Sequence, residues 1–225
     1  MPIRREHADA ALLHLRRADP VLRQVIKQVG PLRLSTDSNR FRMLVRSILS
    51  QQLATGAART IRMRVEALIG DAPFTAEALS KVRPEQLRAA GVSGQKTSYL
   101  QDLADAALSG RIQLRGIARK SDEAVIEELI QVKGIGRWTA QMFLIFSLGR
   151  LDVFPVDDLG VRSALRKLYG LHELPDKTAS HAIASCWSPY ASVASWYCWQ
   201  SLDLKPVASA KSVASNGKKP SKNAQ

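Results

Sequence analysis

Cysteine is scarce: Cys186 and Cys198 are the only two in 225 residues, so neither a disulfide framework nor a four-thiolate cluster is available. Long apolar runs are missing too. The longest, Met142 to Phe146, falls far short of the ~18–20 residues that a membrane span requires, and Met1-Pro-Ile-Arg-Arg-Glu-His carries no apolar secretory block. These absences predict a reducing, intracellular compartment and no membrane contact. The four histidines, His7, His14, His172 and His181, lack metal-ligand spacing, which argues against a metal site built from side chains. No stretch alternates with the period of a half-buried strand, and no tandem repeat signals a solenoid.

What is present is positive charge and helical periodicity. Lys and Arg number 33 against 20 Asp and Glu, a net charge of +13. Acids are absent after Asp203, where Lys205, Lys211, Lys218, Lys219 and Lys222 stand; removing those five charges from +13 leaves +8. A basic body of this kind attracts polyanions, nucleic acid foremost, although solvated lysines alone also produce such a balance. Residues 205–225, rich in Ala, Ser, Asn, Lys and Pro, have too little apolar content to pack and read as a disordered basic tail, leaving 1–204 as the folded unit.

Apolar residues recur at helical spacing in four segments: Phe41, Leu44, Val45, Ile48 and Leu49; Ile61, Val65 and Leu68; Tyr99, Leu100, Leu103, Ala104, Ala107 and Leu108; Val125, Leu129 and Ile130. Ser121 followed by Asp122 and Glu123 reads as an N-cap with an acidic first turn, and Gly70 and Gly170 stand where helices should stop. The fold class predicted is all-α.

The most informative stretch is Val132-Lys133-Gly134-Ile135-Gly136-Arg137. Two glycines bracket one aliphatic residue between an apolar stripe and a new helix, the pattern of a tight interhelical hairpin. Glycine suits positive φ and lets backbone N–H groups converge, and the next helix aims its unpaired amides the same way, so a phosphate oxygen would fit. Ile135 would plug the turn into the core. An αα-corner with no ligand has the same local signature. Further on, Asp157-Asp158 follows Pro155 and precedes the Val161, Leu165, Leu168 stripe, placing one carboxylate at a helix N-terminus. The helix dipole favours the anion there by a few tenths to about 1 kcal/mol. Ordinary capping is the commoner use of such an aspartate.

Taken together, the hairpin, the Gly149–Asp158 loop about twenty residues after it, GIGRWTAQMF, DVFPVDDLGVR, and Trp187-Ser-Pro-Tyr190 through Trp199 resemble the helix-hairpin-helix (HhH-GPD) base-excision DNA glycosylases, nearest the DNA-3-methyladenine glycosylase II, alkylpurine, branch. The likeness runs from about Phe41 to Trp199. It implies a two-lobed helical fold with a DNA-binding cleft between the lobes, double-stranded DNA containing alkylated bases as the partner, and extrusion of the damaged purine from the stack. A monomer is expected, cytoplasmic and nucleoid-associated in a bacterium and nuclear in a eukaryote. The rival readings are a glycosylase for deaminated or oxidised bases and a helix-hairpin-helix module that binds DNA without catalysis; the carboxylate after the hairpin speaks against the latter.

The resemblance also assigns residues. Asp158 is the expected catalytic group, with Asp157 as second choice. As the deoxyribose becomes cationic, an anion about 4 Å away at an effective dielectric near 20 contributes ~4 kcal/mol to the transition state. Bifunctional relatives carry a nucleophilic lysine where this chain has Trp138, so hydrolysis without lyase chemistry is expected. Trp138, Met142 and Trp199 are the expected base pocket, where stacking and cation–π attraction favour electron-poor purines by ~1–2 kcal/mol, whereas Trp187 and Trp196 belong to the core. Gln52 is the expected wedge that fills the vacated stack. Lys133, Gly134, Gly136 and Thr139 at the hairpin, with Gly94 and Lys96 at a second turn, are expected to grip the backbone. No organic cofactor or iron–sulfur cluster is implied; a monovalent cation, Na⁺ or K⁺, on hairpin carbonyls near Val132 and Ile135 is compatible with the family.

Overall fold

The computed structural model of the chain describes residues 5–70 and 72–204. The expected tail at 205–225 lies outside the described residues. Over the described residues the chain is helical with no β-strand. In order, the helices are α1 (Arg5–Ala18), α2 (Pro20–Val29), α3 (Arg40–Ser50), α4 (Thr55–Ile69), α5 (Ala76–Ser80), α6 (Pro84–Ala89), α7 (Gly94–Leu108), α8 (Asp122–Leu129), α9 (Arg137–Phe146), α10 (Leu159–Leu168), α11 (Lys177–Ala184) and α12 (Ala191–Leu202).

Local chemistry starts these helices where the side chains dictate. Asn39 accepts the Arg42 amide at 2.9 Å and opens α3, whose Phe41, Leu44, Val45, Ile48 and Leu49 are all buried. Ser121 accepts the Ala124 amide at 3.3 Å, with Asp122 and Glu123 behind it in the first turn of α8. The other stripes are thinner than their spacing suggests, because Leu68, Leu108 and Ile130 are exposed. Each sits in the last turn of a helix or immediately after it, where the chain turns away from the core.

Tertiary packing gathers the helices into two groups that share one continuous core. Helices α3 to α9 pack through α3 on α4, α7 and α9, α5 and α6 on α7, and α8 on α9; the chain ends pack through α2 on α1 and α12, and α10 on α12. The end group is pinned by Asp19, the N-cap of α2, which is 4% exposed. It accepts the amides of Val21 (2.8 Å) and Leu22 (3.0 Å), the indole N–H of Trp187 (2.8 Å) and the Tyr169 hydroxyl. Burial together with this carboxylate pushes the Tyr169 phenol far up, so the hydroxyl keeps its proton and donates a hydrogen bond to Asp19. Trp187 and Trp196 are buried in the core.

Candidate active site

The loop that leaves α9 ends on Asp158, the N-cap of α10, only 8% exposed. Its Oδ1 accepts the Val161 amide at 2.7 Å and the Trp199 indole N–H at 2.8 Å, and its Oδ2 accepts the Trp138 indole N–H at 2.8 Å. A carboxylate offers about four acceptor positions, so three donors leave one for a further partner. The Trp138 bond also joins the two helix groups, since Trp138 begins α9 and Asp158 begins α10. Asp157, one residue earlier, is exposed and pairs with the Lys177 ammonium at 2.8 Å. The structure therefore separates the two candidates: one is enclosed among indoles and the other faces solvent.

Gly160 explains part of this enclosure, and the sequence reading missed it. A Cβ there would lie 3.0 Å from Asp158 Oδ1 and 3.0 Å from Trp199 Cδ1, so any larger residue would have to push the carboxylate or the indole aside by a few tenths of an ångström. The available signal was a glycine in the first turn of a helix, where it costs up to about 1 kcal/mol relative to alanine.

A cavity of about 720 Å³ opens beside the carboxylate, with Trp138, Met142 and Phe146 of α9 on one side and Arg42, Met43 and the loop before α3 on the other. Trp138 is 39% exposed on this wall while its N–H holds Asp158, so the carboxylate stands one indole from the cavity. Trp199 does not line this cavity, contrary to expectation. Its ring packs on Phe146 with centroids 5.7 Å apart and its N–H is taken by Asp158, which makes it a support for the carboxylate rather than a wall. Phe146 and the polar side of the cavity were not foreseen, because charged residues on the outer face of a striped helix read as solvated.

At the hairpin, Gly134 has φ +81°, and an added Cβ would fall 2.1 Å from Tyr99 Cδ2, so glycine is required by conformation and by space. Gly136 differs from expectation: at φ −96° and ψ 176° it is ordinary extended backbone, the N-cap of α9, and no atom lies within 4 Å of a Cβ built there. Its small size serves open space, not a left-handed turn. Ile135 is buried as the plug.

Two expected backbone-gripping groups are committed elsewhere. The Lys133 amide donates to Asp102 at 2.8 Å; burial pushes that carboxyl up, but this amide and Arg111 outweigh it and hold it below the usual range. The Lys96 ammonium donates to the carbonyls of Leu49 (2.9 Å) and Gln51 (2.6 Å) at the end of α3, and its burial lowers its pKa. Lys96 is thus a helix-end clamp, not a free surface charge. Thr139 is buried because its position in α9 turns inward with Ala140 and Phe143, so its hydroxyl is not at the surface. Gly94 begins α7 exposed, behind the Ser93 cap.

These clamps share one consequence. Gln51 donates from Nε2 to the Gly134 carbonyl at 2.7 Å, so the hairpin, Lys96 and the end of α3 hold one turn, with Gln52 exposed at its tip. Gln52 has φ +54°, the one non-glycine residue with positive φ among the described residues, a conformation that costs on the order of 1–2 kcal/mol. The Val132 carbonyl accepts the Ile135 amide at 3.0 Å, and a carbonyl retains a second lone pair beyond such a bond. Among the described residues no three His, Cys, Asp or Glu side chains cluster as metal ligands.

The family profile described as HhH-GPD superfamily base excision DNA repair protein matches residues 45–189. The chain is 37% identical over 206 residues to DNA-3-methyladenine glycosylase 1 of Schizosaccharomyces pombe, covering 88% of this chain and 90% of that protein. Among solved structures, the S. pombe 3-methyladenine DNA glycosylase in complex with abasic DNA superposes with TM-score 0.80 at 36% identity, over 87% of this chain and 97% of that one. A DNA-3-methyladenine glycosidase from Bacillus halodurans superposes with TM-score 0.76 at 39% identity, over 86% and 89% of the two chains.

Proposed function

The chain belongs to the HhH-GPD superfamily of base excision DNA repair proteins, and from that premise we propose that it excises alkylated purines from DNA by hydrolysis at Asp158. It is a DNA glycosylase of the 3-methyladenine type, and DNA is its partner. The single observation that carries the catalytic assignment is the Asp158 carboxylate, enclosed by three N–H donors and linked through Trp138 to the cavity.

The chemistry follows from that placement. An everted purine enters between Trp138, Met142 and Phe146, where ring faces attract an electron-poor base. The glycosidic bond breaks with positive charge growing on the sugar. Asp158 offsets that charge and orients the attacking water through its remaining acceptor position; its three donors fix it, so little reorganisation accompanies reaction. Trp138 occupies the position of the lysine that bifunctional relatives use, and hydrolysis leaves an abasic site without strand cleavage. The open face at Gly136 and the first-turn amides of α9 receive a strand phosphate; the Val132 and Ile135 carbonyls would hold a monovalent cation, which would add positive charge beside that phosphate. Gln52 fills the vacated stack from its braced turn. The protein acts as a monomer in the cytoplasm, on the nucleoid or, in a eukaryote, in the nucleus. No helix among the described residues is long and apolar enough to cross a membrane.

Incubation with methylated and hypoxanthine-containing duplexes, followed by chromatography of the freed bases, tests this reading. Release of methylated purines is expected, hypoxanthine release alone would move the substrate to deaminated bases, and no release at all would leave a DNA-binding module. Borohydride should trap no covalent protein–DNA adduct; trapping in high yield would overturn the hydrolytic mechanism.

A further inference from the structure

The cavity beside Trp138 is lined by three arginines and one carboxylate: Arg42, Arg46, Arg62 and Asp37. The carboxylate is fully engaged. Asp37 accepts from Nη2 and Nε of Arg42 at 2.8 and 3.1 Å, from Nη1 of Arg46 at 3.1 Å and from the Asn39 amide at 3.0 Å, which brings it to its limit of about four acceptor positions. Arg46 also closes on Glu66 of α4 from Nε and Nη2 at 2.9 and 2.7 Å, although Glu66 itself does not line the cavity. Asp37 and Glu66 together offset Arg42 and Arg46. Arg62 is left over. It is half-buried on α4, one turn before Glu66, and makes no hydrogen bond or ion pair with any described residue, so its charge on the cavity wall is unmatched. Asp158 does not match it either, because that carboxylate stands behind the Trp138 indole on the α9 side.

An unmatched cation in a pocket for electron-poor purines weakens their binding unless an anion arrives with the base. The everted nucleotide brings its own. Rotation about the strand carries the sugar to the cavity mouth with a phosphate on each flank. The hairpin and the first-turn amides of α9 stand on the Trp138 side of that mouth, whereas α4 follows directly on the Gln52 turn and packs against α3 on the other side. Resting on the glycosylase reading above, we propose that Arg62 binds the lesion-strand phosphate on the flank that the hairpin does not hold. The guanidinium fork suits a phosphate, which it can meet with two parallel N–H bonds. The wall is neutralised only when a nucleotide is everted, so this contact favours the extruded state over the stacked one. It touches the backbone and not the base, and serves 3-methyladenine and other alkylated purines alike.

The test uses the full chain with Arg62→Gln and Arg62→Lys, on duplexes that hold one methylated purine and carry either a natural backbone or a single neutral methylphosphonate linkage on the 5′ or the 3′ flank of the lesion. Since Arg62 has no partner among the described residues, thermal denaturation should be little changed in both variants. Single-turnover release at sub-saturating enzyme should fall about ten-fold in Arg62→Gln, the scale of a lost hydrogen bond between charged groups, and by less in Arg62→Lys, which keeps the charge without the fork. The unaltered chain should lose about as much on one of the two methylphosphonate duplexes, and on that duplex Arg62→Gln should add no further loss. An Arg62→Gln loss of equal size on all three duplexes would overturn the proposal and move the contact elsewhere on the DNA, and unchanged release in that variant would overturn it as well. Absence of release by the unaltered chain would instead bring down the glycosylase reading, and this inference with it.

Discussion

Asp19 and Asp158 cap helices at opposite ends of the chain, and each accepts an indole N–H at 2.8 Å, yet their surroundings differ in one respect. Asp19 has four donors, two amides, an indole and a phenol, and lies inside the core that joins α2 to Tyr169 and Trp187. Asp158 has three, and one of its indoles is 39% exposed on a cavity wall. A fully satisfied buried carboxylate rigidifies; one left a donor short beside a cavity is placed to act on something that arrives. The contrast shows that donor count and access, more than residue type or burial, separate a structural aspartate from a reactive one.

The largest expected effect tests the reactive member. Asp158→Asn removes the anion but keeps the shape, and loss of ~4 kcal/mol of transition-state stabilisation lowers single-turnover base release about 10³-fold. One indole N–H is then left facing an amide N–H, a cost of ~1–3 kcal/mol, so thermal denaturation should shift down by ~2–12 °C and release is compared per folded molecule at low temperature; a variant that retained release would erase the distinction between the two sites. Asp19→Asn sharpens the other side. Asparagine still caps the Val21 and Leu22 amides, but the Trp187 and Tyr169 donors are left competing for less acceptor, a cost of ~2–5 kcal/mol. At roughly 2–4 °C per kcal/mol for a chain of this size, thermal denaturation should shift down by ~5–15 °C, with release per folded molecule at low temperature preserved.

Gly160→Ala acts between these extremes. The added methyl presses on Asp158 Oδ1 and Trp199 at 3.0 Å, and a displacement of a few tenths of an ångström should lower release about ten-fold. A rate equal to that of the unaltered chain would show that the seat is looser than its contacts suggest. The smallest effect is expected for Asp157→Asn, which breaks an exposed pair with Lys177 worth ~0–1 kcal/mol. Release should stay within about two-fold, and a large loss would transfer the catalytic role to Asp157.

The sequence made legible whatever depends on near neighbours. The α3 stripe, the Ser121 cap, the Ile135 plug and the breaks at Gly70 and Gly170 each follow from spacing or from a single residue's conformational preference, and the structure has them. What depends on partners far along the chain was not legible. Lys96 reads as surface charge until its ammonium meets the carbonyls of Leu49 and Gln51, and Trp199 reads as a pocket wall until its N–H finds Asp158. Asp37, Arg42 and Arg46 belong to no sequence motif, and their grouping appears only when the loop before α3 docks on the end of α9.

By itself, then, the sequence determined an all-helical chain, the hairpin motif and a carboxylate at the head of α10, because helical periodicity, glycine conformation and capping act within a few residues. Which of two adjacent aspartates is enclosed was decided only by the tertiary structure. Neighbouring residues at a helix start point in different directions, and only the packing of α9 and α12 determines which one meets the two indoles.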